Sequence, residues 1–184
     1  MREVSVALVH HPVRSKDGGE VTSTVTNLDV HDIARSARTY GLRSFFVVHP
    51  VLAQRALVAK IIDHWTHGAS AARIPDRREA LRLVEAVPSL ETVYDALGGR
   101  PGLVVWATGA RAEGAPLAWE EARRSVKVDG RPLLLIFGTS WGLTRATLDA
   151  ADAILAPISA RADAGYNHLS VRAACAIALD RLLG

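Results

Sequence analysis

The residues able to do chemistry in this chain fall into two groups. The first is a set of loop residues: Ala107-Thr108, Phe137-Gly138-Thr139 with Trp141-Gly142-Leu143, and Pro157-Ile158. Each set follows an apolar run. Glycine in the middle set permits positive φ and lets a ligand come close to the backbone. The second is a polar stripe, Asp32, Arg35 and Arg38, at three-residue spacing. An arginine there can hold a phosphate or a developing oxyanion. The bland account is an Asp32–Arg35 surface ion pair worth about 0.3 kcal/mol. Other pairs point less far. His10-His11 and the one-turn pair His64 and His67 lack further ligands at recognisable spacing, so no metal site is expected. Cys175, the single cysteine, lies in an Ala-rich helix and reads as a small buried hydrophobe.

The elements that must position these residues alternate. Apolar runs at Glu3–Val9, Ser44–His49, Leu103–Ala107, Leu133–Phe137 and Ala153–Ala156 read as strands. Leu133 to Phe137 is apolar throughout, as a parallel strand buried on both faces should be. Thr26-Asn27-Leu28-Asp29 opens a helix that Gly41 stops, with Val30, Ile33, Ala34, Ala37 and Tyr40 as its apolar stripe. Further helices are expected over Leu52–Trp65, with Leu57, Ile61 and Ile62 in the core, over Arg73–Ala86 starting at Pro75, from Ser89 to Leu97, and from Glu120. Asp129-Gly130 is a turn, Gly165 lies in the last loop, and Asn167 or Ser170 caps the last helix. Strands alternating with helices imply an α/β fold, a parallel sheet with helices on both faces, in one domain over residues 1–184. Ligands in such sheets sit beyond the carboxyl ends of the strands, where the three loop sets are expected to converge.

Composition sets the class. The 184 residues are 49% hydrophobic, which fits a globular chain with a substantial core. No apolar run approaches a membrane span, and the first residues lack a signal-peptide layout, so a cytoplasmic protein is expected. The net charge is only +3, but all basic residues except Lys16, Lys60 and Lys127 are arginine, which suits phosphate recognition. Genomic bias toward Arg, Ala and Gly explains the same skew. The polar loop Val13–Thr24 is either a solvated connection or a flexible lip carrying Arg14 and Lys16.

Phe137-Gly-Thr-Ser-Trp-Gly-Leu143, Tyr166-Asn-His-Leu-Ser-Val-Arg-Ala-Ala174 and Thr26-Asn-Leu-Asp-Val-His-Asp-Ile-Ala-Arg35, in that arrangement, resemble the SPOUT class of RNA methyltransferases. The likeness is greatest to a small bacterial subfamily, sometimes joined to a tRNA guanine-N1 methyltransferase, and covers almost the whole chain. It implies a C-terminal deep trefoil knot, S-adenosylmethionine as cofactor, RNA (tRNA foremost) as substrate, and a homodimer. It places the cofactor against Ala107, Thr108, Phe137, Gly138, Thr139, Trp141, Gly142, Leu143, Pro157, Ile158, Asn167, His168, Leu169, Ser170 and Ala173. Backbone groups of the glycine turn would bond the adenine edge, and Leu143, Ile158 and Leu169 would sandwich its ring. Arg35 falls at the position of a catalytic arginine, and Asp29 where many ribose methyltransferases of this class carry Asn. Ribose 2′-O-methylation is slightly favoured on Arg35. If the acceptor is a base nitrogen, Asp29 or Asp32 becomes the general base. Arg14, Lys16 and Arg38 are the RNA-binding candidates.

Two other classes compete. One is an RNA- or cofactor-binding protein of the same fold without catalysis. The other is a nucleotide-binding oxidoreductase, against which no Gly-x-Gly-x-x-Gly follows the first strand.

Overall fold

The computed structural model describes residues 2–68, 70–111, 114–128, 130–160 and 166–184, so Asp129 and Gly165 lie outside the described residues. In chain order the elements are β1 (Val4–Val9), β2 (Val13–Arg14), β3 (Glu20–Val21), α1 (Asn27–Thr39), β4 (Ser44–Val48), α2 (Leu52–Thr66), α3 (Ser70–Arg73), α4 (Pro75–Leu81), β5 (Val84–Val87) and α5 (Leu90–Ala96). A 3₁₀ turn at Arg100–Gly102 leads to β6 (Val104–Ala107), α6 (Trp119–Lys127), β7 (Leu133–Gly138), α7 (Arg145–Asp149), β8 (Ala153–Ile154) and α8 (Val171–Leu183).

Six strands form one sheet in the order β5-β4-β1-β7-β6-β8, every pairing parallel. β1 and β7 sit at the centre, with Val4 beside Leu133 and Val9 beside Gly138. Their continuous apolar runs match burial from both sides. On one face Val6, Leu8 and Leu135 pack against Ile33, Val58, Val126 and Leu179 of α1, α2, α6 and α8. On the other, Ala7, Val9 and Leu134 pack against Val93 of α5 and Leu148 of α7. The expected α/β architecture with helices on both faces is therefore present.

Several expectations shift. The helix predicted over Arg73–Ala86 ends at Leu81, and Val84–Val87 is a strand instead. Val-Glu-Ala-Val satisfies the open edge of β4, with Phe45 opposite Val84, and this non-local pairing overrides helix preference. In α2 the core position is Val58, fully buried, while Leu57 is 42% exposed; Ile61 and Ile62 pack against the core as expected. Arg77 of α4 lies over the Trp65 ring at 4.5 Å. Thr26 caps α1, and Gly41, with φ +69°, ends it. Ser170, not Asn167, caps α8.

Candidate active site

Because all six strands run the same way, their carboxyl ends share one edge, and the turn after β7 stands at its centre. Thr139 N–H and Oγ1 both donate to the Val9 carbonyl, at 3.1 and 3.0 Å. The chain then folds back on itself: a Cβ added to Gly138 would lie 2.5 Å from Leu143 N. Close approach in this turn therefore belongs to Gly138. Gly142 is required for another reason, its φ of +98°, since an added Cβ there would meet nothing within 4 Å. Ser140, also at positive φ (+54°), lies between them.

The other loops dock onto this turn. Thr108 follows β6, with N–H and Oγ1 both donating to the Ile136 carbonyl. Asn167 Nδ2 donates to the Ala110 carbonyl at 3.4 Å, which joins the loop before α8 to the loop after β6. The His168 ring stacks on Trp141, centroids 6.5 Å apart. The loop before α8 thus meets both the loop after β6 and the turn after β7. The residues here differ in role: Ala107, Phe137 and Leu143 are buried and support the turn from below, Pro157 and Ile158 are half-buried, and Trp141 and Leu169 are exposed. Leu143 sits in the core rather than standing free to sandwich a ring. Among the described residues, the N–H groups of Ile158, Leu169 and Ser170 make no hydrogen bond, so backbone donors remain for a ligand.

A second feature adjoins the last loop. Asp32, Arg35 and Ser36 of α1, and Tyr40 just after it, face Ser170, Arg172 and Ala173 across an open groove of about 540 Å³. Arg172, which the sequence did not single out, organises it. Its Nη1 lies 3.5 Å from Asp29 Oδ1 and its Nε 3.3 Å from Asp32 Oδ2. Asp29 is buried and also accepts from Thr26 Oγ1 at 2.6 Å. Both candidate bases are therefore held by one guanidinium, and the anticipated Asp32–Arg35 pair does not form. Among the described residues, no hydrogen bond or ion pair engages the Arg35 guanidinium, which stays exposed beside the groove.

Beneath the turn lies a buried polar network that the sequence did not reveal. Ser23 Oγ contacts both Thr139 Oγ1 and His10 Nδ1, the latter at 3.0 Å. Val51 N–H points at His49 Nδ1, so Nδ1 accepts and Nε2–H donates to the Ser23 carbonyl at 2.9 Å. Burial, then the neighbouring His49, lowers the His10 pKa to about 4. His49 is lowered too, chiefly by burial. Both rings are thus neutral near pH 7. His11, adjacent in sequence, contacts Thr22 instead, and no group of three or more possible metal ligands occurs among the described residues.

Of the RNA candidates, Arg14 lies in a hairpin bonded to the turn, its N–H donating to the Gly142 carbonyl at 2.8 Å and its carbonyl accepting from Trp141 N–H. Lys16 is exposed at the hairpin tip. Arg38 is committed to an ion pair with Glu79.

Loops gathered at the carboxyl edge of a parallel α/β sheet, with an arginine-bearing groove alongside, stand where such sheets bind ligands. The model of a SAM-dependent RNA methyltransferase family matches residues 3–184, and the chain belongs to that family. By the family's description, its members methylate RNA with S-adenosylmethionine as donor. The chain is 44% identical over 183 residues to a tRNA (guanine-N(1)-)-methyltransferase of Nitratidesulfovibrio vulgaris; the match takes in 100% of this chain but only 42% of that relative's length. Among solved structures, a probable methyltransferase of Bordetella pertussis superposes with a TM-score of 0.65 at 19% identity, covering 98% of this chain and 94% of the other. A SpoU methyltransferase of Streptomyces viridochromogenes, solved with AdoMet, gives 0.54 at 17%, covering 98% and 57%. These two likenesses concern the fold. No helix among the described residues is long and apolar enough to cross a membrane.

Proposed function

We propose that this chain, as one domain, methylates tRNA in the cytoplasm, with Arg35 at the acceptor. The observation that carries this reading is the exposed, unengaged Arg35 guanidinium in the groove that Ser170 and Ala173 also line. S-adenosylmethionine, when bound, supplies an electrophilic methyl group on a sulfonium, so the protein needs to add little covalent chemistry. The turn Gly138–Leu143 and the backbone donors of the last loop would hold the donor, whose methyl transfer to the acceptor gains from positioning. Arg35 stabilises negative charge on the attacking atom, or holds the adjacent phosphate, as the acceptor proton leaves.

Two acceptors fit. Arg35 suits a ribose 2′-hydroxyl. The name of the tRNA (guanine-N(1)-) relative favours a base nitrogen equally, although this chain spans less than half of that protein. For a base nitrogen, Asp29 or Asp32 must take the proton, and both are engaged by Arg172. The test is to incubate the purified protein with isotope-labelled S-adenosylmethionine and unmodified tRNA, then identify the labelled nucleoside by mass spectrometry. Label on ribose or on guanine N1 decides between the acceptors. No label from a protein that binds the cofactor would leave only the non-catalytic reading.

A deep trefoil knot over the C-terminal segment accords with the strand order. The chain crosses β6 in passing from β7 to β8, then returns so that α8 packs against α1 and α6. A homodimer accords with α8, where Cys175, Ala178, Leu179 and Leu182 are buried but Ala173, Ala174, Ala176 and Ile177 are only half-covered. Light scattering at micromolar concentration should give twice the 19.7 kDa chain mass, and a monomer would remove the dimer.

A further inference from the structure

Trp141 stands out at the carboxyl edge of the sheet, with 52% of its surface in solvent. An indole gains much from burial, so holding it out is costly. The exposure is also built in. Trp141 N–H donates to the Arg14 carbonyl at 3.2 Å, and the Gly142 carbonyl accepts from Arg14 N–H at 2.8 Å. Ser140 before it has φ +54° and Gly142 after it φ +98°. A serine keeps such a conformation only where its surroundings over-determine it. On one side the Trp141 ring meets His168 at an interplanar angle of 28°. Tyr166, 75% exposed, meets His168 edge-on, centroids 6.3 Å apart. The Trp141–His168 separation of 6.5 Å is at the wide end for a ring pair, so His168 leaves much of the indole uncovered.

We propose that Trp141, with His168, forms a stacking platform for an unpaired base of the RNA substrate. The inference rests on the RNA methyltransferase reading and goes beyond it, because it makes the enzyme selective for single-stranded nucleotides. Bases within a duplex hide their faces, whereas an unpaired base offers one to an aromatic ring whatever its sequence. The hairpin bonded to this turn carries the exposed Lys16, a charge for the phosphate backbone beside the stacked base. The turn then has two roles: its backbone serves the cofactor, while its exposed ring serves the RNA.

The experiment compares wild-type protein with Trp141→Ala and Trp141→Phe. Each is titrated with single-stranded oligoadenylate, with a blunt RNA duplex and with unfractionated tRNA, and S-adenosylmethionine affinity is measured by calorimetry. The expected result is an oligoadenylate affinity lowered about 5- to 150-fold in Trp141→Ala, the range for loss of one base–aromatic stack. Trp141→Phe should recover most of it. Duplex binding should change less than about twofold, well below the loss of one stack. Unchanged oligoadenylate binding in Trp141→Ala overturns the platform. Loss of cofactor binding in that variant, with RNA binding kept, overturns it as well and assigns the ring to the adenine. If the wild-type protein binds cofactor but no RNA of any kind, the tRNA reading itself fails and the platform falls with it.

Discussion

Arg35 and Arg172 share a groove but differ in what they touch. Arg172 is engaged by Asp29 and Asp32, while among the described residues no ion pair or hydrogen bond engages the Arg35 guanidinium. A structural arginine is expected to have a partner; one held for chemistry leaves its partner to be supplied by the substrate. Arg35→Ala should therefore keep the fold and the cofactor affinity, yet slow single-turnover methyl transfer by roughly 10²-fold or more. Arg35→Lys should rescue only partly, because a point charge does not reproduce the guanidinium fork. Near-wild-type transfer by Arg35→Ala would remove the residue from the mechanism. The glycines make a second contrast. A Cβ at Gly138 meets backbone at 2.5 Å, whereas at Gly142 it meets only an unfavourable φ. Gly138→Ala should distort the turn and cost more than tenfold in cofactor affinity. Gly142→Ala should mainly lower stability, by about 1–2 kcal/mol. Calorimetry and urea unfolding on both variants check the order, and the reverse ranking would refute it. Sequence spacing marked both glycines, but not that Gly138 is required by a close backbone contact and Gly142 by its positive φ. The distinction between positive φ and close contact requires coordinates.

At the scale of elements, the strands were largely legible because central parallel strands are apolar throughout, as Leu133 to Phe137 shows. The α1 stripe and the Thr26 cap were legible through helical spacing. β5 was not, since its reason to be a strand is the free edge of β4, which no local pattern reveals. Arg172 was equally hidden, because its acids lie on α1, far away in the chain. That bridge joins α8 to α1 beside their shared apolar packing and the hydrogen bond from Tyr40 to Asp180. Removing the cation leaves Asp29 buried and unpaired. Arg172→Met should accordingly cost about 1–3 kcal/mol, much of it recovered by adding Asp29→Asn. Urea unfolding of the single and double variants measures the coupling; strict additivity would mean that the bridge carries none of it.

For the whole molecule, the buried histidines set a pH limit. His10 titrates near 6.5 when unfolded and at about 4 when folded. Between those values the unfolded chain holds a proton that the native chain lacks, so stability is full above about pH 6.5 and falls as pH drops towards 4. His31 and His49, both lowered chiefly by burial, act in the same direction. The His10 share is on the order of 3 kcal/mol. Chemical unfolding at a series of pH values should show this slope, flattened in His10→Gln; an unaltered slope would clear His10 of the effect. The same network was unreadable beforehand, for Ser23 and Thr139 meet across most of the sequence. So do the two central strands, Val4 lying beside Leu133. A ribosome must therefore make everything from β1 through β7 before the middle of the sheet can close. Until β7 emerges, β1 presents an apolar, unpaired flank to whatever else is in the cell. Synthesis of this enzyme thus includes a long interval in which its most cohesive surface is also its most adhesive one, when chaperones or slow translation upstream of Leu133 would matter most.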